Sequence, residues 1–264
     1  MSSKILILYI YIYMFYLKPK IHFITYGDDN FKKSKARILK EAEEFGKFTT
    51  ITGYGPEDLD DNFKEIYKHI LKEPRIAGYG IWRPYIIKEK LKTINDNDIL
   101  IYLDAGCTIN TKGIHRFYDY INMFNNTDKG IISFQHINGD EGHFHLEEKY
   151  WTTKQIFNYF NIELDGNIAN SCQLLDGILI MKKNKHLINI INIWNKVINN
   201  NVLLFTDYYN NINQEKYFIE NRHEQSILSI IRKIYGSIIL KSDEVLKNNT
   251  SSFKYPFLAT KIRN

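Results

Sequence analysis

The first candidate for chemistry is Asp104, an acid that follows a run of uncharged residues. Four of the five residues in the run 99–103 are aliphatic, which is typical of a parallel strand buried on both faces. Ala105 and Gly106 come next, and such small residues let the backbone approach a bulky anion. Because ligands of α/β proteins bind at the carboxyl ends of parallel strands, Asp104 is a candidate ligand-binding acid. The alternative is that it closes a turn or caps a helix predicted from about residue 111.

A second candidate is Arg83, which lies in an aromatic segment that contains two glycines. Residues 78–85 read Gly-Tyr-Gly-Ile-Trp-Arg-Pro-Tyr. Pro84 suits the first turn of a helix predicted over residues 85–91. Arg83 is therefore predicted at a helix N-terminus, where anions are favoured. The alternative is an aromatic-lined packing loop with a solvated arginine.

Two further acids stand at the edges of predicted elements. Asp176 and Gly177 interrupt an apolar run over residues 173–181, and a glycine inside a strand often marks the close approach of a ligand or another backbone. Glu224 lies in Arg-His-Glu-Gln-Ser, residues 222–226, which opens a strongly apolar helix. For each acid the alternative role is a helix cap or a surface carboxylate.

The charge and the cysteine content narrow the class of protein. The 264 residues carry a formal net charge of +5 that is spread along the chain. This charge suits an anionic small ligand or a weakly anionic surface, whereas nucleic-acid binding would favour a concentrated basic stripe. Cys107 and Cys172 are too few for a metal cluster or a disulfide framework. His143 and His145 fall in a polar stretch, residues 135–150, which we interpret as a surface loop or a flap over the site.

The elements that must position these residues alternate along the chain. Strands are predicted over residues 20–26, 48–52, 99–103, 130–134 and 173–181. Helices are predicted over residues 34–45, from 58 or 60 to 71, and over 85–91, 114–124, 151–160, 187–198 and 222–234. The alternation in the first third implies right-handed crossovers onto a parallel sheet. We therefore predict one α/β domain, residues 20–264, with a mostly parallel central sheet flanked by helices.

A short apolar run precedes this domain. Residues 5–17 are uncharged and lie between Lys4 and Lys18. As a helix the run would span roughly 20 Å, which is short of the ~30 Å hydrocarbon core of a bilayer, and no small-residue cleavage site follows it. A membrane-associating anchor, an added strand and a start codon upstream of the true domain all fit this pattern. We favour a dispensable extension, residues 1–19, on a protein that is cytoplasmic or peripheral to a membrane.

Five short segments together resemble the GT-A nucleotide-sugar glycosyltransferases, and among them the capsule-type and large-DNA-virus group. The segments are Thr25-Tyr26, Gly80-Ile-Trp-Arg-Pro-Tyr85, Leu103-Asp-Ala-Gly-Cys107, Asp176-Gly177 and Arg222-His-Glu-Gln-Ser226. The resemblance covers residues 20–264. It implies a GT-A-like domain in a viral or capsule-type protein, a nucleotide-sugar donor and a glycan or glycoprotein acceptor.

The resemblance also implies a divalent cation, Mn²⁺ or Mg²⁺, on the donor diphosphate. In the family an Asp-x-Asp signature at the end of a central strand holds this cation, which neutralises the charge that develops on the leaving group. Asp104 matches the first acid, but Gly106 replaces the second. The residues that would compensate are Glu224 or His223 as additional ligands, or Arg83, Lys261 and Arg263 as cations in the place of the metal.

For the remaining residues the resemblance implies roles around the donor sugar. Thr25 and Tyr26 would flank the nucleotide base, and Tyr79, Trp82 and Arg83 would border the donor. The catalytic candidates are Asp176, which would contact sugar hydroxyls or act as a base, and Glu224. Further substrate-binding candidates are Gly177, His223, Lys261 and Arg263.

A rival interpretation starts from the missing second acid. With a degraded metal site, the chain would be a non-catalytic carbohydrate- or nucleotide-binding module of a virion or a surface. A dinucleotide-dependent oxidoreductase is disfavoured, because no Gly-x-Gly-x-x-Gly follows the first predicted strand.

Overall fold

The computed structural model describes residues 19–246 and 254–263. The apolar run over residues 5–17, on which the prediction of an N-terminal extension rests, lies outside the described residues. Within them, no helix has both the length and the apolar character needed to cross a membrane.

The strands of the described chain form two sheets. They are β1 (Ile21–Tyr26), β2 (Thr50–Tyr54), β3 (Ile99–Leu103), β4 (Thr108–Ile109), β5 (Ile131–Gln135), β6 (Ile178–Lys182), β7 (Ile238–Lys241) and β8 (Phe257–Leu258). The central sheet has the order β2-β1-β3-β6-β5-β7, and β4 pairs with β8 in a separate two-stranded sheet.

The helices of the described chain fall mainly between these strands. They are α1 (Lys32–Phe45), α2 (Asp61–Ile66), α3 (Lys68–Leu71), α4 (Ile76–Tyr79), α5 (Trp82–Thr93), α6 (Ile114–Met123), α7 (Glu148–Trp151), α8 (Lys154–Tyr159), α9 (Lys185–Asn201) and α10 (Glu224–Tyr235).

The central sheet is mixed, and parallel pairings outnumber antiparallel ones. β1 pairs in parallel with β2 and β3, and β5 with β7, whereas β6 is antiparallel to both β3 and β5. The predicted α/β architecture with a mostly parallel sheet flanked by helices is confirmed. Because β6 runs against β3, the residues that precede β6 lie at the same edge of the sheet as those that follow β3. The backbone N–H of Asp104 accordingly donates to the carbonyl of Gly177 at 2.9 Å.

The central strand β3 is covered on both faces, as its composition predicts. All of its residues are buried. Successive side chains of a strand point to opposite faces, so Ile101 packs in a core with α1 and α6, whereas Leu100 and Tyr102 pack with α5, α9 and α10. The first position along this strand that reaches solvent is Asp104.

Two boundaries near the candidate residues differ from the predictions. α5 begins at Trp82 and not at residue 85, so Arg83 lies inside the first turn of the helix. β6 begins at Ile178, so Asp176 and Gly177 precede the strand and do not interrupt it. In both cases the candidate site residues lie where a helix or a strand meets a loop.

The C-terminal segment returns to the edge of the sheet that carries Asp104. β8 pairs antiparallel with β4, with Leu258 opposite Thr108. Because β4 follows directly on the turn over residues 104–107, this pairing carries residues 260–263 back across the turn. The backbone N–H of Ile262 donates to the carbonyl of Gly106 at 2.9 Å.

The burial of β3 predicts that a substitution in this strand lowers stability more than one on an exposed edge strand. Ile101→Ala is expected to lower the free energy of unfolding by about 2–5 kcal/mol, because it leaves a cavity in a fully buried strand. Ile239→Ala on the edge strand β7 is the matched control, since Ile239 is 52% exposed, and we expect it to cost less than about 1 kcal/mol. Urea unfolding followed by circular dichroism measures both. Equal losses would contradict the two-sided burial of β3.

Candidate active site

Arg83 is the centre of a buried cluster of charges. Its side chain is 3% exposed, and its guanidinium contacts three carboxylates. Nη2 donates to Oδ1 of Asp104 at 2.7 Å, while Nη1 donates to Oε1 of Glu224 at 2.8 Å and also to Oδ2 of Asp176. The acids come from the end of β3, the loop before β6 and the first residue of α10. Four residues predicted for the site therefore meet in one cluster.

The approach of Glu224 to Arg83 depends on a glycine. Gly80 has a φ of +70°, and a Cβ atom built on it would lie 2.5 Å from the carboxyl carbon of Glu224. Any larger residue at position 80 would displace that carboxylate. The carbonyl of Gly80 also accepts the backbone N–H of Arg83 at 2.9 Å. The same glycine thus helps to place both partners of this ion pair.

Burial sets the protonation of the cluster. Burial alone would lower the pKa of Arg83, but the surrounding carboxylates, Asp104 and Asp176 first, raise it well above its ordinary value. Burial raises the pKa of Glu224 to about 8, although Arg83 opposes the rise. Burial also raises the pKa of Asp176. Repulsion from Asp176, which contacts the same arginine, also raises the pKa of Glu224.

Aromatic rings complete the surroundings of Arg83. The hydroxyl of Tyr102 donates to Oδ1 of Asp104 at 2.5 Å, and its ring centroid lies 5.1 Å from the guanidinium carbon of Arg83. The ring of Trp82 lies 5.4 Å from the same carbon and stacks on Tyr26, with 3.7 Å between the centroids. Sequence reasoning missed Tyr102, because a tyrosine in an apolar strand looks like an ordinary core residue.

The cluster lines a cavity of about 870 Å³. The predicted site residues in its wall are Tyr26, Trp82, Arg83, Asp104, Asp176, Gly177, His223, Glu224, Lys261 and Arg263. Thr25 and Tyr79 are not among the residues that line it. Thr25 has no exposed surface, so its predicted contact with a nucleotide base is not supported. Tyr79 packs on the ring of His223, with 5.0 Å between the centroids.

His223 occupies strained backbone immediately before α10. Its φ of 53° and ψ of −123° lie outside the regions that non-glycine residues normally adopt, which costs about 1–3 kcal/mol. Its Nε2 shares a hydrogen bond with Oδ1 of Asp207 at 2.9 Å. Burial lowers the pKa of His223 against the raising effect of Asp207, so the ring is neutral at pH 7. Asp207 lies in a polar stretch without periodicity, which is why it was not predicted.

Besides Arg83 and Arg75, three more cations line the same cavity. The guanidinium carbons of Arg222 and Arg263 lie over aromatic rings, 3.9 and 5.3 Å from the ring centroids. Neither guanidinium forms an ion pair with a carboxylate of the described residues. Nζ of Lys261 lies 2.6 Å from Oε1 of Glu141, and the lysine side chain is 72% exposed. Arg222 belongs to the segment over residues 222–226 that carries part of the resemblance, but no role in the site was predicted for it.

The oxygen atoms around Asp104 do not fit a divalent cation. Oδ1 of Asp104 already accepts two hydrogen bonds, and Gly106 offers no side-chain oxygen. Asp176 and Glu224 are bound to the guanidinium of Arg83. Nowhere in the part of the chain that the structure describes do three or more His, Cys, Asp or Glu side chains gather to hold a metal ion. The prediction of Mn²⁺ or Mg²⁺ is therefore not supported by these residues.

No family model and no curated protein sequence matches the chain. Among solved structures it is similar to a glycosyltransferase involved in the glycosylation of the major capsid of PBCV-1, with 11% identity and a TM-score of 0.47 over 91% of this chain and 94% of that one. It is also similar to mouse xyloside xylosyltransferase 1, with 9% identity and a TM-score of 0.41 over 87% of each chain.

A third similar structure is the galactosyltransferase LgtC in complex with donor and acceptor sugar analogues. Its identity is 11% and its TM-score 0.40 over 85% of this chain and 74% of that one. All three are glycosyltransferases, the class that the sequence resembles. All three TM-scores lie below 0.5.

Removing the central cation is expected to destabilise the fold. Arg83→Gln leaves three carboxylates without their shared cation, so we expect it to lower the free energy of unfolding by about 3–5 kcal/mol at pH 7. Arg75→Gln is the matched control, because Arg75 also bridges two carboxylates but is 42% exposed. Its loss should stay within about 1 kcal/mol. Urea unfolding of both variants measures the difference, and similar losses would contradict the buried cluster.

Glu224 makes the stability depend on pH in a defined direction. Its folded pKa of about 8 lies above its ordinary value of 4.5. The stability that this carboxyl contributes is therefore fully present below pH 4.5 and is lost as the pH rises through about 8. Glu224→Gln cannot ionise, so its free energy of unfolding should fall less than that of the wild type over this range. Glu65→Gln, at a 73% exposed position, is the control, and a wild-type slope in Glu224→Gln would contradict the assignment.

Proposed function

We propose that this protein transfers a sugar from a nucleotide-diphosphate sugar to a glycan or protein acceptor. The observation that carries the proposal is the buried Arg83, which holds three acids from separate elements in the wall of one cavity. Buried charges of this kind are costly, and cavities lined by acids with shifted pKa values are typical of active sites. The cavity volume falls within the range of small-molecule sites.

The distribution of side chains supports a position for the donor. The stacked rings of Tyr26 and Trp82 offer an apolar face for the nucleotide base or the sugar. In the wall of the same cavity, Gly106 offers bare backbone next to Lys261, and Arg263 also lines the cavity. We propose that the diphosphate lies against this basic side and that the sugar lies over Asp104 and Asp176.

The proposed sugar transfer requires the site to support two changes in bonding. The bond between the anomeric carbon and the phosphate oxygen breaks, and the leaving nucleoside diphosphate takes the electron pair. The acceptor oxygen forms the new bond and loses its proton. Asp176 is 6% exposed, lines the cavity and is bound to Arg83, which supports a role for its carboxylate in binding sugar hydroxyls or in accepting that proton. Glu224 contacts the same guanidinium nitrogen of Arg83 and so places a second carboxyl group beside Asp176.

Asp176→Asn tests the catalytic assignment. We expect the variant to release nucleoside diphosphate about 10²–10⁴-fold more slowly, because an amide cannot accept a proton, while donor affinity changes only a few-fold. Initial rates with a panel of UDP, GDP and dTDP sugars measure turnover, and shifts of the melting temperature measure binding. Asp165→Asn, at an exposed position, is the control. Wild-type turnover by Asp176→Asn would show that the carboxylate of Asp176 takes no part in the reaction.

The same panel separates the enzyme from a non-catalytic carbohydrate- or nucleotide-binding module. That second candidate draws on one observation: all three carboxylates are already neutralised in part by Arg83. Donors that raise the melting temperature without any release of diphosphate would favour the module. Donors that neither turn over nor raise the melting temperature would contradict both proposals.

A further inference from the structure

We infer that the C-terminal segment, residues 260–263, supplies the positive charge that binds the donor diphosphate, so that this step needs no divalent cation. The inference rests on the proposed function for the identity of the ligand. It concerns an anion site built from Lys261 and Arg263, with Arg222 as a third cation in the wall of the same cavity.

The segment is held firmly against the turn that follows Asp104. The backbone N–H of Ile262 donates to the carbonyl of Gly106 at 2.9 Å, and Oγ1 of Thr260 donates to the same carbonyl at 2.9 Å. On its other side, Oγ of Ser34 in α1 donates to the carbonyl of Ile262 at 3.2 Å. These bonds hold the segment on both sides, so its two basic side chains start from a defined position.

The segment also occupies the space beside the missing second acid. A Cβ atom built on Gly106 would lie 3.4 Å from Cα of Lys261 and 3.6 Å from the carbonyl oxygen of Ile262. An acid at position 106 would therefore project toward the basic segment. Because glycine carries no carboxylate, the charge beside Asp104 is positive where an Asp-x-Asp signature would make it negative.

The charges in this part of the cavity are available for an anion. In the ion pair of Lys261 with Glu141 the lysine side chain is exposed. Pairs with an exposed partner contribute little to stability, so a diphosphate can replace the carboxylate. Arg263 and Arg222 form no ion pair with a carboxylate of the described residues. Burial lowers the pKa of Arg222, so a bound anion would stabilise its charge. Arginine binds phosphate oxygens through two parallel hydrogen bonds.

The site does not require another reactant. When the bond from the anomeric carbon to the phosphate oxygen breaks, both electrons stay on the diphosphate, and the cations balance the charge that it gains. The role is the one that the metal has in the Asp-x-Asp enzymes. Asp104 remains bound to Arg83 throughout and serves the sugar side of the cavity.

Inorganic pyrophosphate is the probe that tests the anion site without a choice of nucleotide. Isothermal titration calorimetry of the full chain in EDTA is expected to show binding. Lys261→Gln and Arg263→Gln should each weaken it about tenfold, as expected for the loss of one charge-assisted hydrogen bond. Lys40→Gln, on the exposed face of α1, should leave the affinity unchanged. Binding that occurs only when Mn²⁺ is added would overturn the inference.

A matched pair at position 106 tests the charge itself. The nearest atoms to a Cβ there are at ordinary contact distance, so both Gly106→Asp and Gly106→Asn are expected to fold. The added carboxylate of Gly106→Asp should weaken pyrophosphate binding in EDTA at least about tenfold, because it faces the cations. Gly106→Asn has the same shape without the charge and should stay within about threefold of the wild type. Equal affinities for the two variants would refute the anion site.

The outcomes also separate this inference from the proposed function. If donor turnover requires Mn²⁺ and pyrophosphate does not bind in EDTA, the transferase proposal is supported and the metal-free anion site is refuted. If pyrophosphate binds in EDTA and no donor is turned over, the anion site is supported and the transferase proposal is refuted.

Discussion

The structure depends on the burial of one guanidinium. Arg83 cannot lose its proton at any ordinary pH, and moving its charge out of water costs several kcal/mol unless carboxylates compensate. The acids that do so are 21, 93 and 141 residues away along the chain. The cluster therefore forms only when α5, the end of β3, the loop before β6 and α10 are all in place. A site built in this way is assembled only by folding.

The direction of a single strand makes this assembly possible. Had β6 run parallel to β3, the segment before it would lie at the opposite edge of the sheet, far from Asp104. Because β6 is antiparallel, Asp176 and Asp104 meet at one edge, and Arg83 enters between them from the first turn of α5. The glycine at position 80 then allows the close approach of Glu224.

Sequence reasoning identified most of the residues of this cluster but not their contacts. Asp104 stood out as an acid after an apolar strand, and Arg83 as a cation in an aromatic segment. Asp176 interrupted an apolar run, and Glu224 lay in a segment that opens an apolar helix. The contacts of Arg83 with the three acids were not visible, because a contact across 141 residues leaves no local pattern. Tyr102 was hidden among core residues, and Asp207 in a polar stretch. Thr25 was assigned from the resemblance carried by the Thr25-Tyr26 segment, yet its side chain is buried.

The C-terminal segment was the hardest part to predict, and it changes the meaning of Gly106. Residues 260–263 have no periodicity, and their position follows from the pairing of β8 with β4. In the sequence, glycine at 106 looked like the loss of a metal ligand. In the fold, it is the residue whose backbone accepts the segment that carries Lys261 and Arg263. Position 106 has no negative side chain, and the segment beside it carries two positive ones. Both features make the local charge more positive, which favours an anion held by side chains.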